Sequence, residues 1–362
     1  MSLVKQLQQA SSSTQAKLWI TLLTSLYLVI FLVIHDGIND VTDPIHTLHT
    51  LEPSLQRTSS LVSVGLHINN LPVFSISKNT FTIDGIVWFR FPIGTESLDT
   101  ISRFEIQNVV RSQGGDLLYK SEPIIKLVGD EVIASYHIQA TIKTALDYKD
   151  FPIASHRLNV IITNKSVTAR ELYFTSKPEQ FTLGQHTLVY SWTMRDQTVV
   201  TGYEQAPLSS KEEGLSITYP AACFSVIVDN IGVRDLISLY FPMFVLFLIA
   251  LFCLLIDISD TARLGYVAAA VPILVLFRMV IDGVSPDVGK LTHLDYMYNL
   301  FVFLSLVILF FQTYVVLRLQ NLKKKSESIQ DAPRKHLQLW NNAMFFCILI
   351  ALAIGTTCSF LR

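Results

Sequence analysis

Apolar residues along this chain are gathered into blocks. Five stretches run almost without charge: 18–34, 236–256, 264–281, 296–317 and 339–361, with Arg278 the sole charged residue in the third. A helix needs about 20 mostly apolar residues to cross a bilayer, and buried helices of soluble proteins rarely run so long without charge. The last four stretches therefore predict membrane-crossing helices, an all-α transmembrane four-helix bundle over residues 234–362. The first stretch is shorter and follows a polar start holding Lys5 and Lys17. Residues 1–35 read either as a signal peptide or as a cytoplasmic N-terminus with a signal-anchor helix. Val33, Ile34, His35 and Asp36 offer no small-residue cleavage site, which favours an additional N-terminal hydrophobic helix.

Residues 36–233 follow a different period. Alternating runs rich in β-branched and aromatic residues occupy 61–68, 81–91, 132–145, 157–163, 187–194 and 217–228. Turn-like breaks separate them at Asn69-Asn70, 112–115, 164–166 and 209–214. No long helical pattern intervenes. Many short strands at this spacing predict a β-sandwich.

Composition sharpens this division. Half of the 362 residues are hydrophobic and 16% are charged, against about 25% charged in a soluble domain. A net charge of −1 excludes a strongly basic nucleic-acid binder. Of the four cysteines, Cys253, Cys347 and Cys358 fall in apolar stretches. Cys223 is alone in the β-region, so no disulfide forms there within one chain, and a small core residue is expected. Asn164-Lys165-Ser166 matches a glycosylation sequon, a weak pattern. No metal-ligand spacing, phosphate loop or nucleophile elbow appears, so no catalytic residue, metal or cofactor is expected and the chain does not read as an enzyme. His46 and His49 are close in sequence but expected to be solvated. Glu204, Glu212 and Glu213 are likewise expected in solvent, with cation binding the alternative.

Basic residues set an orientation. The connector 318–336 holds Arg318, Lys323, Lys324, Lys325, Arg334 and Lys335 against Glu327 and Asp331. It is expected to be cytoplasmic, and Lys5 and Lys17 place the N-terminus there too. The β-domain then lies outside or in the periplasm, and the C-terminus outside, in a plasma or inner membrane.

At the residue level the chain resembles the pentameric ligand-gated ion channels. It is most similar to the prokaryotic branch, which lacks the Cys-loop disulfide. Four places carry the likeness, across roughly residues 60–360. The run 81–91, containing Asp84-Gly85, is similar to the family's second strand. Residues 146–160, built around Phe151-Pro152, resemble its signature loop. Thr144 and Leu158 stand where animal receptors carry bridging cysteines, and Ala154 replaces the usual Asp. Residues 223–228 running into Tyr240-Phe241-Pro242 look like the last strand entering the first pore-domain helix. Asn230 stands where relatives have an arginine, with Arg234 one turn later. Finally, Ala262-Arg263-Leu264-Gly265, Ser285-Pro286 and Leu294-Asp295-Tyr296 resemble the pore helix, its linker and the third helix.

The resemblance implies a homopentamer in a lipid bilayer, gated by an unknown small-molecule agonist and passing ions through a pore lined by the second helix. Anchored on Arg263 and Pro286, the lining face reads Gly265, Ala269, Pro272, Leu276, Met279, Gly283, whose 4,3,4,3,4 spacing keeps one face toward an axis. Pro272 is expected to bend the helix. A register shifted by one residue faces Leu264, Ala268, Val271, Val275, Arg278 and Asp282 inward instead. Arg278 and Asp282 are also i,i+4 neighbours, which predicts a local ion pair. Asp257, Asp260 and Arg263 are expected at the inner mouth and Asp282 at the outer. Acidic rings favour cations, whereas Ala262-Arg263 resembles anion-selective relatives; cation flux is favoured. Trp88, Tyr190, Trp192, Tyr203 and Tyr219 are the candidates for an aromatic ligand cage, with sandwich core the competing reading. Phe151, Pro152, Arg234 and Pro286 are the expected coupling residues. The competing function is a non-conducting membrane sensor with an extracytoplasmic β-domain.

Overall fold

A computed structural model describes residues 20–21, 24, 41, 43–50, 59–112, 115–116, 118–152, 154–184, 192–208, 216–230, 233–286, 289–323 and 331–360. The chain divides into a sheet unit, Asp40–Asp147 with Ala154–Gly232, and a helical unit that includes Tyr148–Ile153 and Val233–Arg362.

The sheet unit contains β1 (Ser60–Ser75), β2 (Thr80–Pro92), α1 (Leu98–Ser102), β3 (Phe104–Ile106), β4 (Arg111–Ser112) and β5 (Gly115–Asp116). These are followed by β6 (Leu118–Lys120), β7 (Ile124–Val128), β8 (Glu131–Lys143), β9 (His156–Asn164), β10 (Leu172–Thr175), β11 (Phe181–Leu183), β12 (Trp192–Pro207) and β13 (Ser216–Asn230). One sheet is ordered β10-β1-β2-β8-β6, with β11 also on β1 and β7 also on β8; the other is β12-β13-β9-β3. Pairing is mixed: β1 runs parallel to β10 and β11 and antiparallel to β2. Both sheets feed one core, in which Phe81, Ile83, Val87, Phe89 and Phe91 of β2 lie with Val160, Ile162, Phe224 and Val226 of the second sheet. The period of two predicted this sandwich-like arrangement because alternate side chains share a face.

Local chemistry explains where the structure departs from the expected turns. Asn69-Asn70 does not break the chain; β1 continues through it, with register shifts at 68/70 and 70/73. A bulge absorbs the extra residue and bends the strand. The Asn164 side chain is buried: its Nδ2 donates to the Thr100 carbonyl (2.7 Å), and its Oδ1 accepts from the Ser166 N–H (3.0 Å) and hydroxyl (2.6 Å). It closes a turn and is not presented as a glycan acceptor. Cys223 is buried in β13 as expected, and burial raises its thiol pKa, which keeps it inert.

The helical unit contains α2 (Val233–Phe252), α3 (Ala262–Leu276), α4 (Arg278–Val284), α5 (His293–Lys323) and α6 (Asp331–Phe360). Three segments are long and apolar enough to cross a membrane: Ala262–Val284, His293–Leu322 and Pro333–Cys358; Ile237–Phe252 is apolar but shorter. By length and composition these helices are consistent with a membrane protein. Near the N-terminus Ile20, Thr21 and Thr24 are helical, and the rest of segment 1–35 lies outside the described residues. The break between α3 and α4 falls at Phe277, one turn beyond Pro272, where the Phe277 carbonyl accepts from both Val280 (3.0 Å) and Ile281 (3.2 Å). Helix α5 is capped by Thr292 and Asp295: the Asp295 carboxylate accepts from the Thr292 N–H (2.8 Å), and the Thr292 hydroxyl accepts from the Asp295 N–H (3.3 Å).

Candidate functional site

The segment α3–α4 is one-sided. Arg263, Val267, Ala270, Val271 and Leu274 of α3 are buried, as is Ile281 of α4. Gly265, Ala269, Pro272, Leu276, Met279 and Gly283 are all exposed, Leu276 at 63% and Met279 at 74%. Alternating steps of four and three keep these six on one helical face, and the core claims the other. The register shifted by one residue lacks this property. Val271 within it is buried, and Arg278 is engaged elsewhere. The exposed arc is wide and apolar, since Tyr266, Ile273, Val275 and Val280 also lie on it.

The charges near this helix have specific partners. Asp257 and Asp260 are exposed in the turn before α3 and act as local caps. Asp257 accepts from the Ser259 N–H (2.8 Å) and Asp260 from the Ala262 N–H (2.9 Å). The bond from Ser259 holds the Asp257 carboxyl below its ordinary pKa. Arg334 stands 3.8 Å from Asp257 and also donates to the Ser259 hydroxyl. Arg263 departs from its expected place at the mouth: it is 1% exposed, inside the helical unit. Its Nε donates to the Cys253 carbonyl (2.8 Å), and its Nη2 donates to the Asn341 side-chain oxygen. Asn341 in turn donates to the Leu254 carbonyl (2.7 Å). Both carbonyls directly follow α2, where helix ends leave acceptors unfilled. Arg263 and Asn341 together thus close the end of α2, and among the described residues Arg263 contacts no carboxylate.

At the other end of the pore-helix candidate, Arg278 bonds Asp282 (2.8 Å), the expected i,i+4 pair. It also donates to Asp295 and lies 5.6 Å from the Tyr298 ring centroid. One guanidinium thereby joins α4 to the first turn of α5. Pro286, in the connection to α5, is buried. Phe151 and Pro152 are also buried and joined by a cis peptide bond. Their loop belongs to the helical unit, and the Lys149 carbonyl accepts from the His293 N–H at the start of α5 (2.8 Å). Arg234 is in the first turn of α2.

The aromatic candidates do not converge within one chain. Trp88 is half-buried on the face of β2 opposite the core, and its ring covers Gly65 of β1. A Cβ at Gly65 would sit 2.2 Å from the indole, so the glycine makes room for the ring. Trp192 is core, edge-on to Phe74 at 4.8 Å. Tyr203 opposes Pro220 while its neighbour Glu204 opposes Tyr219, so the two tyrosines face opposite sides of β12–β13. Tyr190 lies outside the described residues.

A second polar centre, in the sheet unit, escaped the sequence reading. Asp43 and His156 are paired at 3.2 Å, with both side chains 1% exposed. The Asp43 carboxylate also accepts from the backbone N–H of Asp147 (2.5 Å) and of Arg157 (2.6 Å). The His156 ring lies 5.8 Å from that of Trp192. Three residues on, His46 is paired with Glu204 (2.9 Å), and Gln107 also donates to that carboxylate. His49 and Tyr203 exchange backbone bonds of 3.1 and 2.8 Å along the edge of β12. Residues 43–49 thus form a strap on the sheet edge, and His46 and Glu204 are partners, contrary to the expectation that they are solvated. Glu212 and Glu213 lie outside the described residues. No group of three or more His, Cys, Asp or Glu is placed to hold a metal among the described residues. Asn341 had a visible signal, a polar side chain inside an apolar span. Asp43 had none, because its partners are more than a hundred residues away. Compared with known proteins, the chain matches no family model and no curated sequence.

Proposed function

We propose that the chain is a subunit of a ligand-gated ion channel that assembles as a homopentamer, with α2, α3–α4, α5 and α6 as a four-helix transmembrane bundle. The observation that carries this reading is the one-sided exposure of α3–α4. A helix of membrane length buries Val267, Val271 and Leu274 and leaves Gly265, Ala269, Pro272, Leu276, Met279 and Gly283 uncovered. A ring of five copies gives such a face a water-filled axis. Small residues at one end allow close approach, and Leu276 and Met279 then form apolar rings that gate by dewetting. The exposed Asp257, Asp260 and Asp282 favour cation flux, and Arg263 is buried in the helical unit and does not line the exposed face.

In this reading the β-domain lies outside or in the periplasm, the basic connector 318–336 is cytoplasmic, and the first hydrophobic segment is an added N-terminal helix. The agonist binds between subunits. Tyr203, Tyr219 and Trp88 are uncovered enough to contribute, whereas buried Trp192 supports the fold. Gating shifts a population between closed and open states. The chain leaves the sheet unit at Asp147, passes through the Phe151-Pro152 loop, and returns at Ala154; this covalent route is the proposed coupling path to Pro286.

The test is reconstitution with current recording while pH, amines and divalent ions are screened. A pentameric particle and a ligand-dependent current are expected. Leu276→Ser should raise open probability by wetting the constriction. A monomeric particle, or a Leu276→Ser variant with no current under any condition, refutes the channel. The all-apolar exposed face favours one alternative, a non-conducting sensor, which predicts ligand binding without current in both proteins.

A further inference from the structure

Where the apolar spans of α5 and α6 end, their side chains enclose a cleft of about 400 Å3. Tyr314, Arg318 and Asn321 line it from α5, and Pro333, His336 and Trp340 from α6. Both sets follow steps of three and four, so each is one helical face. The cleft lies at the boundary of the apolar segments His293–Leu322 and Pro333–Cys358, the level at which membrane proteins place amphipathic rings.

Its chemistry is divided. Leu322, Leu337 and the exposed Trp340 form its apolar side. Arg318 is its cation. The Arg318 Nε donates to the Tyr314 hydroxyl (3.1 Å), and the guanidinium carbon lies 5.3 Å from that ring's centroid. That contact orients the guanidinium while leaving its two terminal nitrogens directed away from Nε. Among the described residues no carboxylate pairs with Arg318. The neighbouring Arg334 is occupied by Ser259 and Asp257, so it does not serve the cleft. His336 and Lys335 are exposed close by.

We propose that this cleft binds an anionic glycerophospholipid. The phosphate sits on the Arg318 guanidinium, which offers two parallel donors to it, and an acyl chain lies along Trp340 and Leu337. Charge selects the ligand: a zwitterionic lipid carries its own ammonium beside the phosphate and gains less from an unpaired guanidinium. An oriented arginine with no carboxylate partner among the described residues, beside the exposed Trp340 ring, distinguishes this cleft from a general basic surface. The inference rests on the helices crossing a bilayer. It does not depend on ion conduction or on which side the cleft faces.

The test uses the full chain in phosphatidylcholine vesicles containing a minor share of phosphatidylglycerol, with bromine on the acyl chains of one lipid or the other. Subtracting the emission of Trp340→Phe isolates the Trp340 signal. Bromophosphatidylglycerol should quench that signal roughly five-fold more per mole than bromophosphatidylcholine, the preference expected from about one basic side chain at an anionic surface. Arg318→Gln, an exposed and conservative change, should abolish the preference, and Arg318→Lys should retain part of it. Equal quenching by both lipids in the native chain overturns the proposal. So does a preference that survives Arg318→Gln, or relief of quenching by millimolar inorganic phosphate, which assigns the cleft to a soluble anion. None of these outcomes bears on the channel reading, because current and subunit number are measured separately.

Discussion

Asp43 is expected to be the most sensitive polar position in the sheet unit. Its carboxylate is buried and holds Asp147 N–H, Arg157 N–H and His156 Nδ1 at 2.5, 2.6 and 3.2 Å. Asp43→Ala leaves two backbone donors and an imidazole without their acceptor. Each buried donor left unsatisfied costs about 1–3 kcal/mol, so the loss of an acceptor serving three donors should cost about 3–5 kcal/mol or more. Asp43→Asn keeps one oxygen acceptor and should cost about 1–3 kcal/mol, the range for hydrogen bonds to a charged group. For a unit of this size each kcal/mol moves the melting temperature by about 2–4 °C, so Asp43→Ala should lower Tm by about 6–20 °C. Thermal unfolding of the purified full chain in detergent, followed by tryptophan fluorescence at one scan rate, reads this directly. Trp192 is a local reporter, since its ring is 5.8 Å from that of His156. His156→Ala combined with Asp43→Ala should lose less than the sum of the single changes, because the two share one interaction. A Tm for Asp43→Ala within about 1 °C of wild type, or strict additivity with His156→Ala, would refute the reasoning.

Three further outcomes follow from particular contacts. Asn341→Leu removes the side-chain acceptor of buried Arg263 and should destabilise the helical unit by about 1.5–3 kcal/mol, the range for hydrogen bonds to a charged group, whereas pairing it with Arg263→Met should recover part of the loss; thermal aggregation monitored by size exclusion distinguishes the two. Gly202→Val should release the strap, since a Cβ there lies 2.4 Å from the His49 carbonyl oxygen; chymotrypsin should then cut after Leu48 faster than in the parent, and unchanged cleavage would count against the strap. The Thr168 N–H and hydroxyl, 2.9 and 3.1 Å from the Glu171 carboxylate, hold its pKa below the ordinary value. A depressed folded pKa contributes stability above the unfolded value and loses it as pH falls through the lowered one. Glu171→Gln should therefore weaken the acid dependence of Tm below about pH 4.3, and a parallel acid profile would contradict this.

Much of the fold was legible in the sequence because it rests on local periods. Uncharged runs located the apolar cores of α2, α3–α4, α5 and α6, missing the polar ends of α5 and α6 by six to eight residues, and the alternation 81–91 marked β2. The errors have physical causes. Asn69-Asn70 reads as a turn, yet pairing with β2 carries β1 through it by bulging. Asn164 reads as a sequon, yet the sandwich needs its amide to satisfy the Thr100 carbonyl. Charge spacing predicted Arg278 with Asp282 because i,i+4 neighbours meet on any helix, but it was silent on Asp295, which the next helix supplies.

By itself, the sequence determined that this chain divides into an alternating, more polar sheet region and a run of apolar helices, since burial and bilayer solubility are written in composition and period. It also proposed which face of 262–284 was special, though two registers one residue apart stayed open. The tertiary structure buries Val271 of one register and exposes Leu276 and Met279 of the other, while Ala268, Val275 and Asp282 of the first are exposed as well. Only the tertiary structure took Arg263 from a presumed mouth into the helical core and paired it with Asn341, or brought Asp43 to His156 across 113 positions of chain. Such pairings depend on which elements meet, and no local pattern encodes a partner that distant.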